Sequence, residues 1–479
     1  MTLSLNTAKI LLLTIFLAAM SPCSLLSNSN YHAISHSNAI DRLILPMSDY
    51  KLHCSQRTST MADWILVIYI AADNDLKGFA ARNIKQMAAI GSNEHIKIVV
   101  QLDIRITGNQ KITRRYYIEQ NKIFYMNADD PYSQKMDSGD PQSLISCCKW
   151  AFENFPARQQ ALILWNHGTG CLDPAGGRIL NPSELFVFNP VLNKLELDRS
   201  IGFLDFIDTL DAMQRGILWD DSTGNYLTNQ KLEFALQAIS TQLLGGKKLA
   251  ILGFDACLMS MIEVASIAKK YADCLVGSQE VELGTGLNYE EALLPFLRSS
   301  LSATAFAENI VYSYERTYSK ITDDFTHSAM ALEYTDILEN HINTVAALLI
   351  ECLRRQNDNS VKNALKASRN KLLCTHFDEP SYVDLHHMLS NIQTNIKLFS
   401  FRSPNNDGDT IKNALNEALT QAMQTIKKMV FANAAGKNLR FAQGISIYFP
   451  ESRIHPSYKK TSFAQSNHWF NFLNYFLQP

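Results

Sequence analysis

Two apolar runs separated by a helix-forming stretch constrain this chain more than any other feature. Residues 64–70, Trp64-Ile65-Leu66-Val67-Ile68-Tyr69-Ile70, carry no charge and are rich in β-branched and aromatic side chains, which predicts a buried strand. Asp75 can cap a helix over residues 76–90, Gly91 ends it, and residues 96–102 return to strand character. Strand, crossover helix and strand make a βαβ unit, which demands a parallel sheet with helices on its faces. The same grammar continues. Residues 114–118 predict a strand, 141–152 a helix, 161–165 a strand, Thr228 or Asn229 precedes a helix through Ile239, 248–254 form a strand and 258–270 a helix. Residues 302–355 read as helices around a strand-like 329–332, 411–431 as a helix, and 444–450 as a late strand stopped by Pro450. The expected fold class is α/β.

Lys and Arg number 44 against 46 Asp and Glu, and no basic stripe stands out, so nucleic acid is excluded as a partner. The apolar stretch at residues 10–20 follows Lys9 and is too short for a membrane span of about 20 residues, but it suits the core of a signal peptide. Export, to the medium or the periplasm, is therefore expected, with no stable membrane span. The organisation that follows is a signal peptide at 1–23, a Ser-, Asn- and His-rich approach or pro-region at 24–60, a core at 61–300 with an inserted loop at 172–215, and an α/β portion at 301–479. Nine cysteines, at 23, 54, 147, 148, 171, 257, 274, 352 and 374, show no paired metal-ligand spacing. An oxidising compartment can pair some of them, but the spacing identifies no pair.

Two polar clusters follow two of the strands. His167 comes just after 161–165, and Cys257 just after 248–254. Parallel strands share one carboxyl edge, where loops build the usual crevice, so residues far apart in sequence can meet there. Cys257 would face the start of the 258–270 helix, whose dipole favours a thiolate, and an imidazole could take its proton and pass it to a leaving amine. A buried core cysteine and a loop-capping histidine remain the alternatives. His376, Asp378, His386 and His387 lack a zinc spacing and read as loop and helix-surface polarity, and the aromatics Trp469, Phe470, Phe472, Tyr475 and Phe476 as packing of the C-terminal end.

The ordered motifs Leu164-Trp165-Asn166-His167-Gly168-Thr169-Gly170 and Phe254-Asp255-Ala256-Cys257-Leu258-Met259-Ser260 resemble the clostripain family of cysteine endopeptidases. Tyr69-Ile70-Ala71-Ala72-Asp73-Asn74-Asp75-Leu76, Gly216-Ile217-Leu218-Trp219-Asp220-Asp221, Val276-Gly277-Ser278-Gln279-Glu280-Val281-Glu282, Tyr382-Val383-Asp384-Leu385 and Gly444-Ile445-Ser446-Ile447-Tyr448-Phe449-Pro450 extend the resemblance. It implies a caspase-like three-layer α/β/α sandwich with a mainly parallel sheet and a C-terminal α/β extension. It also implies a catalytic dyad of His167 and Cys257, an oxyanion hole from the backbone N–H groups of Gly168 and Cys257, and no third catalytic side chain. Cleavage after arginine, with lysine weaker, is implied with Asp255 in the pocket. A second family acid falls where this chain has Gly284-Thr285-Gly286, and Thr285 brings no charge there; Glu280 or Glu282 can compensate, or lie on a solvated edge. Asp73 and Asn74 order loops or start a helix. Asp173, Asp220 and Asp221 are the candidates for calcium, which the sequence does not require. The resemblance further implies a zymogen that cuts itself after Arg178, Lys194, Arg199 or Arg215 into chains that stay associated. Two other readings stand beside it: a noncatalytic extracellular binding protein on the same scaffold, and an endopeptidase with an altered P1 preference.

Overall fold

The structure, a computed structural model, describes residues 61–106, 110–126, 135–173, 182–199, 217–402 and 407–478. The expected signal peptide and pro-region, Cys23, Cys54, Arg178 and Arg215 lie outside the described residues. Elements follow in the order β1 (Ala62–Ala72), α1 (Lys77–Ile90), β2 (Ile96–Arg105), β3 (Lys111–Glu119), β4 (Lys122–Tyr125), α2 (Pro141–Asn154), β5 (Ala157–Trp165), β6 (Phe186–Asn189), β7 (Lys194–Leu197), β8 (Ile217–Asp220), β9 (Asn225–Leu227), α3 (Asn229–Ala238), β10 (Leu249–Asp255), α4 (Ile262–Ala268) and β11 (Ala272–Gly277). The C-terminal portion adds α5 (Tyr289–Leu293), α6 (Ala303–Tyr318), β12 (Thr326–Ala331), α7 (Thr335–Arg355), α8 (Ser360–Ser368), β13 (Tyr382–Asp384), α9 (Leu385–Asn395), α10 (Asp407–Met429), β14 (Val430–Ala435), β15 (Ser446–Tyr448), α11 (Ser462–Ser466) and α12 (Trp469–Phe476).

The main sheet has nine strands in the order β14-β12-β11-β10-β5-β1-β2-β3-β4. Its centre, from β11 to β2, is parallel, and both flanks are antiparallel. Nearly every residue of β1 is buried, as a strand covered on both faces must be. The helices form two sets that pack among themselves: α1, α5 and α6 in one, and α2, α3, α4 and α7 in the other. This is a mixed α/β fold with a mostly parallel sheet flanked by helices. The helix starts obey ordinary capping chemistry, Asp140 accepting from Gln142 and Thr228 from Lys231. The late strand β15 pairs with β13 rather than joining the main sheet, and the ring of Phe449 packs against Trp469, Phe472 and Phe476 to close the C-terminal end. All seven described cysteines are free and buried, so the pairing expected of some of them is not found among the described residues.

Candidate active site

The sheet register builds the site. β5 pairs with β10 so that Trp165 stands opposite Asp255, and the Asn166 N–H donates to the Asp255 carbonyl at 3.2 Å. His167 and Cys257 each come two residues after that last pair, so they leave the sheet side by side. Gly168 permits the approach: a methyl group there would stand 2.3 Å from the Cys257 carbonyl oxygen, so the demand for glycine is one of space.

The Cys257 sulfur accepts the Glu282 N–H at 3.2 Å and lies 3.9 Å from the carbonyl oxygen of the same residue. Burial pushes the thiol pKa well above its ordinary value; the Glu282 N–H pulls it down, and the carboxylates of Glu282, Asp378 and Glu280 push it further up. The expected helix N-terminus behind the thiol is absent, because α4 begins only at Ile262. Residues 258–260 instead run alongside the segment after β11, with Leu258 N–H bonded to the Glu280 carbonyl, Ser260 N–H to the Ser278 carbonyl, and Leu258 held at φ +64°. The Cys257 thiol therefore has no helix dipole beside it.

His167 is fully buried, and its Nε2 lies 2.7 Å from Oδ1 of Asp75. Helix α1 takes Leu76 as its N-cap position, one residue after Asp75. The turn that carries Asp75 is tightly held. The Asp73 carboxylate binds Arg105 at 2.9 Å, its carbonyl accepts the Asp221 N–H, and the Asn74 amide donates to the carbonyls of Ala71 and Trp219. Asn166, at the end of β5, donates to the same two carbonyls, so Asp73, Asn74 and Asn166 order the loops at this edge.

The calcium candidates lie in two separate places. The Lys111 ammonium sits among Asp220, Asp103 at 3.0 Å and Asp73 at 3.8 Å, and Arg105 binds Asp221 at 3.0 Å. Asp173 is held elsewhere, through the Ser457 hydroxyl. His376 bonds the Cys374 carbonyl, His387 pairs with Thr375, and the Asp378 N–H donates to Glu280. Among the described residues, no three His, Cys, Asp or Glu side chains form a group fit for a metal ion.

A small cleft opens beside the thiol, lined by Leu76, Trp165, Asp255, Cys257, Glu282 and Gly286 among others. Asp255 accepts the Tyr289 hydroxyl at 2.8 Å and the Leu287 N–H at 2.9 Å, and burial lifts its pKa to about 6. Glu282 is buried against Asp255, and apart from that neighbouring carboxyl group neither of its oxygens has a hydrogen-bond partner among the described residues. Burial and then the neighbouring Asp255 push its pKa well up. Among the described residues, His327 lies 3.6 Å from it; burial brings the histidine pKa down to about 3, so it offers no positive charge. Glu280 belongs elsewhere, its carboxylate clasped by Arg199 at 2.9 Å. Thr285 stands behind the cleft, its hydroxyl 2.6 Å from that of Tyr318.

Sequence reasoning missed Asp75 and His327. Asp75 had a usable signal, since it follows β1, whose parallel pairing with β5 sets Ile70 opposite Trp165 on the shared edge.

A model of the clostripain family matches residues 68–178 and 205–476. The chain belongs to the clostripain family. It is 26% identical over 249 residues to clostripain of Hathewaya histolytica, an alignment covering 47% of this chain and 40% of that protein, so it spans less than half the length of that relative. Two solved structures share the fold. One is a secreted C11 cysteine protease from Bacteroides thetaiotaomicron in complex with an irreversible peptide inhibitor, 17% identical, with a TM-score of 0.53 over 86% of this chain and 99% of the other. The other is an inactive zymogen C11 protease from Parabacteroides distasonis, 18% identical, with a TM-score of 0.52 and the same coverage. The clostripain-family match skips residues 179–204, where this chain carries the β6–β7 hairpin and Arg199.

Proposed function

We propose that this chain is an exported cysteine endopeptidase that hydrolyses peptide bonds through His167 and Cys257 and prefers arginine over lysine at P1. The observation that carries the reading is that these two residues leave adjacent strands side by side, over a cleft lined by two buried acids. The thiol proton moves to His167 and the sulfur attacks the scissile carbonyl, with the backbone N–H groups of Gly168 and Cys257 assigned to the oxyanion. Imidazolium then protonates the leaving amine, and water resolves the thioester.

Asp255 and Glu282 are assigned to the P1 side chain. Glu282 supplies the carboxylate that Thr285 cannot, and a guanidinium can engage both acids and nearby carbonyls more fully than an ammonium. Self-processing belongs to the same reading. Bonds after Lys194 and Arg199 are poor sites, because Lys194 sits in β7 and pairs with Asp323 at 2.6 Å, while Arg199 is held by Glu280. That leaves Arg178 and Arg215. β5 pairs with β1 on one side and β10 on the other, which would keep two cut chains together. Calcium is assigned no role, because Lys111 already supplies positive charge among Asp73, Asp103 and Asp220. No helix among the described residues is long and apolar enough to cross a membrane.

The test is a fluorogenic peptide panel varied at P1 under reducing conditions. Best turnover is expected with arginine, then lysine, and Cys257→Ala and His167→Ala should abolish it while still folding. Equal turnover by a folded Cys257→Ala protein refutes the mechanism, and best turnover at an apolar or acidic P1 residue refutes the specificity.

A further inference from the structure

We propose that Asp75 is the positioning residue for His167, so that the working unit is Asp75, His167 and Cys257 rather than a dyad; the inference rests on the endopeptidase reading for the reaction it serves. The 2.7 Å separation of His167 Nε2 from Asp75 Oδ1 is that of a charge-assisted hydrogen bond. A carboxylate can only accept, so the bond places the imidazole proton on Nε2 and leaves Nδ1 as the nitrogen that takes the thiol proton. A ring held by one strong bond is also fixed in rotation, which matters for a side chain whose partner sits on a different strand.

A further observation makes Asp75 more than a chance neighbour. The two residues before it are immobilised by contacts to other elements, Asp73 through Arg105 and the Asp221 N–H, and Asn74 through the Trp219 carbonyl. The Asp75 side chain keeps 30% of its surface exposed, so its charge stays in contact with water while the imidazole it holds is dry. In the reaction the S–H bond of Cys257 breaks, its proton passes to Nδ1, and the new S–C bond forms at the scissile carbonyl. Nδ1 then gives that proton to the amine as the C–N bond breaks. Asp75 keeps Nε2–H throughout and neither gains nor loses a proton.

The experiment compares wild type, Asp75→Ala and Asp75→Asn in the full chain by two readouts. One is kcat and KM on a peptidyl-arginine substrate. The other is the second-order rate of Cys257 alkylation by iodoacetamide, followed by peptide mass mapping, which needs no peptide turnover. Asp75→Ala is expected to lower both kcat and the alkylation rate by about 10²-fold, the effect of a misplacement on the order of 1 Å, with KM little changed. Added formate should partly restore the alanine variant through the exposed side of the site, while Asp75→Asn, whose amide can donate as well as accept, should recover less. If the alanine variant does not fold, Asp75→Leu against Asp75→Asn makes the same comparison. Wild-type rates in the alanine or leucine variant overturn the proposal. So does a loss that neither asparagine nor formate repairs, since that marks a purely structural residue. Fast alkylation in wild type and slow alkylation in the variant, with no peptide cleaved by either, would uphold Asp75 while rejecting the endopeptidase reading.

Discussion

Substituting Gly168 by alanine tests the approach of the two strand tips with a single methyl group. The added carbon would stand 2.3 Å from the Cys257 carbonyl oxygen, 3.0 Å from the Met259 side chain and 3.1 Å from the Ala256 side chain. Met259 can rotate, but the carbonyl belongs to the backbone that carries the nucleophile. Reaching even a close C···O contact of about 3.3 Å requires the loops to separate by about 1 Å. Misplacement on that scale costs about 10²-fold in rate, and overpacking of this kind costs about 1–3 kcal/mol of stability. Steady-state kinetics on a peptidyl-arginine substrate should therefore show kcat down by about two orders of magnitude, in a protein that still melts cooperatively a few degrees lower. Wild-type kcat in a folded Gly168→Ala protein would refute the argument that these tips form the working site.

Glu282→Gln should lower kcat/KM for arginine substrates by about 10- to 10²-fold, the worth of one hydrogen bond to a charged group, while turnover of neutral P1 substrates changes little. The same variant should gain melting temperature over wild type as pH rises from 5 to 8. The buried native acid holds its proton to a higher pH than the unfolded one, so wild type loses stability across that interval and glutamine does not; a difference independent of pH would contradict this. A calcium chelator should leave the melting temperature of wild type unchanged, and a fall of several degrees would show that Lys111 does not substitute for a metal ion. Arg199→Gln removes a bond to the buried Glu280 carboxylate and should cost about 1.5–3 kcal/mol in denaturant unfolding; an unchanged midpoint would mean that the hairpin contact is idle.

The parallel centre of the sheet was legible because its strands are apolar runs separated by helix-forming stretches. The flanks were harder. β12 contains Thr326, His327 and Ser328, and β4 has only four residues, so neither carries the pattern of a buried strand. The helix expected from 258 fails at its first turn, because Leu258 takes a left-handed conformation and the following backbone bonds across to residues 278 and 280. Long-range pairing of that kind leaves no trace in local periodicity. Cys257 and His167 were visible because each follows a recognisable strand. Glu280 and Glu282 looked equivalent by alternation, yet an arginine from the inserted hairpin takes one and leaves the other at the cleft. Asp75 was obscured by its resemblance to a helix cap, because its contact with His167 crosses 92 residues of sequence and leaves no local signal.

The most direct measurement of the central claim is covalent capture of the nucleophile. A peptidyl-arginine electrophile is added to wild type, Cys257→Ala and His167→Ala, and intact mass followed by peptide mapping locates the adduct. Stoichiometric labelling of Cys257 in wild type is predicted, with none in Cys257→Ala, strongly slowed labelling in His167→Ala, and protection by excess arginine substrate. Labelling at any of the other described cysteines, or equal rates with and without His167, would contradict the assignment of His167 and Cys257 as the reacting pair.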